Sequence, residues 1–240
     1  MQRLDKELVA RGLVNSRSQA ENMIQNGDVS VGGKTVRKPA FMVHEDVKIK
    51  LNTSNQYVSR AALKLKSAAT KLKIDFRGKV ILDVGSSTGG FTDYALNKGA
   101  VKSIAVDVGS DQLHPSLRGD ARIELHEKTD IRNLPGPLPD VDIAVCDVSF
   151  ISLREILPSV ASLLTKPTAI VVAMVKPQFE VGGSHKHKGV IKNDTIRRKI
   201  LKDFETWAKR YFIVVDKADS EVSGKKGNTE RFYILQPVRK

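Results

Sequence analysis

A single cysteine, Cys146, stands among 240 residues. An internal disulfide is therefore impossible, and a reducing cytoplasm is the expected location. Aromatic residues make up only 5% of the chain, so its core must be mainly aliphatic. No run reaches the roughly 18 apolar residues that a membrane-spanning helix needs. Charged residues begin at Arg3, where a secretory signal would lead into an apolar stretch. No membrane partner is expected.

Charge, by contrast, is plentiful and one-sided. The net charge is +13, and residues 181–240 carry 15 Lys/Arg against 7 Asp/Glu. A basic excess of this size suits a polyanion, because phosphates bind through Lys and Arg with release of counterions. Ordinary solubility charge is the bland alternative.

Residues 1–51 read as a small self-contained unit. "RLDKELVARGLV" places Leu4, Leu8 and Leu13 near helical spacing, with Gly12 as a stop. "NSRSQAENMIQNGDV" starts a second helix with Ser16 and Gln19 in capping-box relation, ended by Gly27. Short alternating strands follow, with Gly32-Gly33 at a hairpin position. In order and content, "RLDKELVARGLVNSRSQAENMIQNGDVSVGGKTVRKP" resembles the RNA-binding domain first described in ribosomal protein S-four. Arg3, Arg11, Arg17, Lys34, Arg37 and Lys38, with Arg60 beyond them, are the candidate RNA contacts. Polar "NTSNQ", residues 52–56, is the expected linker.

From Tyr57 to residue 240 helices and strands alternate. Strands are expected at 80–84, 103–107, 123–126, 141–147 and 168–176, with a closing antiparallel hairpin around "EVSGKKGN". Near-continuous apolar strands with helical crossovers indicate a doubly wound parallel sheet.

"ILDVGSSTGGFTDYAL" then runs strand, glycine turn, helix, where open α/β sheets bind ligands. It has no G-x-G-x-x-G spacing and no G-K-[ST] ending, so a dinucleotide or triphosphate site is disfavoured. Asp83 beside the loop suits a cationic ligand, and S-adenosylmethionine carries a sulfonium and an amino group. Asp107 ends the next strand and is placed to accept ribose hydroxyls. Asp130 follows the third strand and is a candidate for the adenine amino group. Each alone is weak, since a lone strand-end aspartate is more often a helix cap. One acid after each of three successive strands makes the cofactor reading.

The fourth strand ends in "CDVSF", without the Asp/Asn-Pro-Pro-aromatic motif of nucleic-acid amino methylation. Cys146 should point away from its neighbour Asp147 and into the core. Asp147 and Lys176 instead end strands at the ligand-binding edge. Lys64 on the preceding helix and Glu230 at the start of the last strand complete a Lys-Asp-Lys-Glu set. Deprotonating a sugar hydroxyl needs such a group: a desolvated lysine pressed by another cation serves as base, here Lys176. Asp147 and Glu230 would orient it, and Lys64 would stabilise the alkoxide. Two structural salt bridges are the alternative.

"YVSRAALKL", "DVGSSTGGFTD", "CDVSFISL", "VKPQFEVG", "HKGVIKN" and "GNTERFYIL" together resemble the TlyA family, known both as hemolysins and as ribosomal RNA 2′-O-methyltransferases. The resemblance covers essentially the whole chain. It implies an FtsJ-type methyltransferase domain: a Rossmann-like α/β fold with a seven-stranded sheet, mostly parallel with one antiparallel strand, joined to a small α+β S4-like domain. It implies that Lys64, Asp147, Lys176 and Glu230 match the catalytic tetrad. It implies that Asp83, Gly85, Ser86, Ser87, Thr88, Gly89, Gly90, Phe91, Asp107, Asp130 and Asp147 match the S-adenosylmethionine pocket. Ribosomal RNA, as cytidine within a ribosomal subunit, is the implied substrate. Ser86 departs from the alanine common in the family, a change that still permits close backbone approach. An RNA-binding protein with an inactive methyltransferase domain, and a membrane-lytic protein, are the rival readings. The glycine-rich basic loop 182–194 is expected to be a lid over the RNA, since His185 and His187 among lysines make a poor metal site.

Overall fold

A computed structural model describes residues 1–14, 16–51, 57–181, 190–191, 193–222 and 227–239. The expected linker 52–56 and most of the 182–194 loop, including His185 and His187, lie outside these residues.

The N-terminal unit runs β1 (Gln2–Arg3), α1 (Leu4–Ala10), α2 (Arg17–Asn26), β2 (Val29–Val31), β3 (Lys34–Thr35), β4 (Met42–Val43) and β5 (Ile49–Leu51). The Ser16 hydroxyl caps α2 by accepting from the Gln19 amide at 3.2 Å. Gly27 ends the helix with a left-handed φ of +90°, a conformation glycine adopts without penalty. Gly32 and Gly33, also at positive φ, turn β2 back onto β3. Leu4, Leu8, Ala20, Met23, Ile24 and Val29 from both helices and the sheet fill its core. The pairing of β1 with β4 had no sequence signal, because two residues are too few to show alternation.

The larger unit continues with α3 (Arg60–Lys71), β6 (Val80–Val84), α4 (Gly90–Asn97), β7 (Lys102–Val106), β8 (Ile123–His126), β9 (Ile143–Cys146), α5 (Leu153–Leu163), β10 (Ile170–Val175), α6 (Pro177–Glu180), α7 (Asp194–Ala208), β11 (Phe212–Asp219) and β12 (Arg231–Pro237). Among the described residues, seven strands form one sheet in the order β11-β12-β10-β9-β6-β7-β8. β12 alone runs against the rest, pairing antiparallel with both β10 and β11.

Alternate residues feed the two faces. Leu82, Val84, Cys146, Val171 and Ala173 pack with α5 and α7, whereas Ile81, Ile143, Val145, Val172 and Met174 pack with α3 and α4. Cys146 is fully buried, and burial pushes its thiol upward, which removes it as a nucleophile. Helix α7 was not singled out in the sequence, although Ile200, Leu201, Phe204 and Ala208 keep helical spacing and are its buried face.

Strand order reverses between β6 and β9. At such a switch point the loops leaving neighbouring strands diverge and open a crevice at their carboxyl ends. The glycine turn after β6 and the "DVSF" segment after β9 both start there.

Candidate active site

The glycine turn is held by backbone packing that side chains would prevent. Gly85 has φ +82°, and a Cβ on it would lie 2.7 Å from the Asp147 carbonyl oxygen. A Cβ on Gly89 (φ +85°) would strike Leu113 and Leu117, and one on Gly90 would lie 2.1 Å from Ser59 Oγ. Ser87 takes a positive φ of 47° without being glycine, and its amide donates to Asp107 Oδ2 at 2.8 Å. Ser86 and Thr88 are buried in the turn. Phe91 is different: its ring lies in the core against Phe232, centroids 6.2 Å apart, rather than in the crevice.

Asp83, only 1% exposed, accepts from the Thr92 amide at 2.9 Å and the Thr92 hydroxyl at 2.7 Å, both through Oδ2. Its buried Oδ1 has no hydrogen-bond partner among the described residues. Burial pushes this carboxyl up to about 7, against the downward pull of Thr92. An unsatisfied buried acceptor beside a turn that only glycine can make fits a cationic ligand brought close to the backbone. Asp107 accepts from Ser87 through Oδ2 and from the Gly109 amide at 2.7 Å through Oδ1. A carboxylate has about four acceptor positions, so ribose hydroxyls remain compatible with these bonds. Asp130 caps the short helix at 131–133, accepting from the Arg132 amide at 2.9 Å, and forms a 2.6 Å ion pair with the Arg132 guanidinium. The helix-cap alternative thus describes its present contacts, and an adenine amino group would have to share this carboxylate with Arg132.

The four candidate catalytic residues form two ion pairs. Lys176 Nζ lies 2.5 Å from Asp147 Oδ1 and donates a hydrogen bond to Ser149 Oγ at 2.7 Å. Lys64 Nζ donates to Glu230 Oε1 at 2.9 Å, and Glu230 is 2% exposed. Strand register relates the pairs. Val175 stands opposite Arg231, so one step further sets Lys176 opposite Glu230. β9 and β10 run parallel, with Cys146 beside Ala173, so Asp147 and Lys176 leave the sheet at the same end. Lys64 reaches that edge from α3.

Sequence reading missed two neighbours, although both stood in the quoted "CDVSF". Ser149 holds the amine of Lys176. Phe150 is 83% exposed at a positive φ of 67°, and its ring meets Phe179 of α6 at 5.3 Å. A large apolar side chain rarely adopts that backbone conformation. An aromatic after a strand end was the available signal. Glu180, 4% exposed, ties α6 to the start of α5 by accepting from Ser152 Oγ at 2.6 Å and the Leu153 amide at 2.7 Å.

The candidate RNA contacts divide into two sets. Lys34 and Lys38 are exposed in and beyond the hairpin, and Arg60 is exposed at the start of α3. Arg3 and Arg17 both pair with buried Asp5, at 2.8 and 2.9 Å, and hold its carboxyl well below the usual range. About half of the Arg17 side chain still faces solvent. Arg37 lies across Gly27 and donates to the Gln25 carbonyl at 3.2 Å. Arg11 turns inward: it pairs with Glu7 at 2.6 Å and donates to the carbonyls of Val47, His44 and Glu45. That contact set fastens α1 to the 44–47 turn, so the RNA role read for Arg11 from sequence gives way to a structural one.

A seven-stranded, mostly parallel sheet with its crevice at the switch point and a glycine turn beside an acid defines a methyltransferase of Rossmann-like architecture. The FtsJ-like methyltransferase family matches residues 57–236, and the S4 domain family matches residues 2–49. The chain belongs to the FtsJ-like methyltransferase family, and its cofactor is S-adenosylmethionine. It is 38% identical to the 23S rRNA (cytidine-2′-O)-methyltransferase TlyA of Campylobacter jejuni, over 94% of this chain and 96% of that one. It is 39% identical to the 16S/23S rRNA (cytidine-2′-O)-methyltransferase TlyA of Mycobacterium tuberculosis, over 98% and 89%. A solved structure from Streptococcus thermophilus, of a protein provisionally called a hemolysin, superposes with a TM-score of 0.75 at 34% identity, covering 100% of this chain and 89% of that one. Among the described residues no helix is long and apolar enough to cross a membrane.

Proposed function

We propose that this RNA 2′-O-methyltransferase acts on cytidine ribose in ribosomal RNA, within a ribosomal subunit, with Lys176 as the base. What supports the reading is that the Lys176–Asp147 and Lys64–Glu230 ion pairs both lie at the strand ends on the edge where the glycine turn begins. Whole-length similarity to two ribosomal RNA cytidine-2′-O-methyltransferases supports the substrate.

S-adenosylmethionine, when bound, supplies an electrophilic methyl group on a positively charged sulfur. The Gly85–Gly90 turn, Asp83 and Asp107 would hold it. A ribose hydroxyl is too weakly acidic to attack unaided at neutral pH, so the chain must remove its proton as the oxygen becomes nucleophilic. Lys176 is the group placed to take that proton, and Asp147 and Ser149 fix the position of Nζ. Lys64, anchored by buried Glu230, sets a positive charge where negative charge develops on the oxygen. The exposed ring of Phe150 offers a stacking face for an unstacked base next to this group. Exposed Lys34, Lys38, Arg17 and Arg60 supply phosphate contacts.

The test is to map 2′-O-methyl positions in ribosomal RNA after incubation with the protein and methyl-labelled cofactor. Label on a cytidine ribose, lost with Lys176→Ala, is expected. Label on a base, or undiminished transfer by the variant, would overturn the assignment.

A further inference from the structure

The segment between β7 and β8 touches the cofactor turn on one side and the small domain on the other. Towards the turn, the His114 amide donates to the Thr88 carbonyl at 3.2 Å, and Ser87 Oγ donates to Gln112 Oε1 at 3.0 Å. The side chains of Leu113 and Leu117 occupy the space that a Cβ on Gly89 would need. Towards the small domain, Ser16 Oγ donates to the Asp111 carbonyl at 3.1 Å. Gln19 Nε2 donates to the Leu113 carbonyl at 3.1 Å, and Gln19 is 0% exposed. The Leu113 carbonyl also accepts from Arg118 Nε at 3.2 Å.

We infer that Gln19 is a positioning residue for the cofactor pocket, and that the small domain, docked through α2 on residues 111–113, is linked energetically to cofactor binding. A fully buried amide that donates across two domains holds the segment at a fixed height over the glycine turn. When α2 is displaced, the Leu113 carbonyl loses one of its two donors and the wall behind Gly89 loosens. Binding energies at two sites joined in this way are reciprocal. RNA that secures the small domain in its docked position therefore tightens cofactor binding, and cofactor tightens RNA binding by the same factor. This inference rests on the methyltransferase reading above.

Calorimetric titration of S-adenosylhomocysteine into the full-length protein, with and without a 23S ribosomal RNA transcript, tests it. Wild type should bind more tightly by about fivefold when RNA is present. Gln19→Ala should weaken RNA-free cofactor binding about fivefold and abolish the RNA enhancement, consistent with loss of one buried hydrogen bond. Its RNA affinity without cofactor should also fall, by about the same factor or less, because both ligands favour the docked position. Its thermal unfolding midpoint should stay near that of wild type, which a general loosening of the small domain would not allow. Ser16→Gly removes the bond to Asp111 while keeping a residue tolerated as a helix cap. It serves as the second variant if Gln19→Ala does not fold, with weakened cofactor binding again expected. Cofactor affinity equal to wild type in the folded variants would overturn the linkage. Wild type that binds no cofactor at all would instead sink the methyltransferase reading, and the inference with it.

Discussion

Lys176 and Asp147 sit at the carboxyl ends of neighbouring parallel strands with Nζ and Oδ1 2.5 Å apart. The contact joins the group assigned as base to the segment that also packs against Gly85. Replacement of Lys176 by alanine should reduce methyl transfer by about 100-fold to 10,000-fold, the range for a lost general base. RNA affinity should stay within a few-fold. Single-turnover transfer near the wild-type rate would remove Lys176 from the chemistry.

The second pair should show separable roles. Lys64→Ala leaves Glu230 buried without its partner, and breaking such a pair costs roughly 3–5 kcal/mol. Adding Glu230→Gln removes the stranded charge, so the double variant should recover much of the stability while remaining inactive. Chemical denaturation alongside transfer assays tests both halves. An active double variant would make the pair purely structural.

Asp83 predicts a pH dependence. Its folded-state carboxyl titrates near 7 from an ordinary value of 3.8 because it is buried. Between those values the folded state holds a proton that the unfolded chain releases, so this group's contribution to stability falls as pH rises through that window. A cationic ligand favours the ionised form. Affinity for S-adenosylmethionine should therefore rise from pH 5.5 to about 7 and then level off, with Asp83→Asn flattening the curve. Titrations at several pH values would expose a flat wild-type profile, which contradicts the assigned contact.

Gly85→Ala should be poorly tolerated. Positive φ is costly for alanine, and the new methyl carbon would lie 2.7 Å from the Asp147 carbonyl. A loss of about 1–3 kcal/mol is expected from backbone strain, together with weaker cofactor binding. Thermal unfolding and calorimetry measure the two effects, and an unchanged protein would contradict the close packing of the turns after β6 and β9.

Arginines of the small domain should separate by role. Arg17→Ala with Arg37→Ala should weaken RNA binding and reduce its salt dependence, since fewer phosphates would be neutralised. Arg11→Ala should chiefly lower the stability of the small domain, because its guanidinium bridges Glu7 and the 44–47 backbone. RNA titrations at several salt concentrations beside thermal melts distinguish these outcomes. An Arg11 variant with a normal melt and lost RNA affinity would reverse the assignment.

Much of the architecture was legible in the chain. Apolar runs at 80–84 and 168–176 had to be strands covered on both faces, and Gly27 and Gly32-Gly33 marked the helix end and hairpin through conformations that other residues avoid. Asp83 was legible as an acid beside the glycine turn because strand, acid and turn are contiguous. Phe91 and Arg11 were not legible in the same way. Proximity to a motif says nothing about which way a side chain faces, and the fold turned one into the core and the other against the backbone.

Local order along the sequence thus determined the strands, the turns, the helix caps and the set of chemically capable residues, because each depends on neighbours within a few positions. Only the tertiary structure decided which of those residues meet. Lys64 and Glu230 are 166 positions apart, and their contact exists because β12 enters antiparallel beside β10 while α3 packs over that edge. The approach of Gln19 to Leu113 across two domains was decided in the same way: a long-range contact depends on how packed faces fit, and no short stretch of sequence encodes that fit alone.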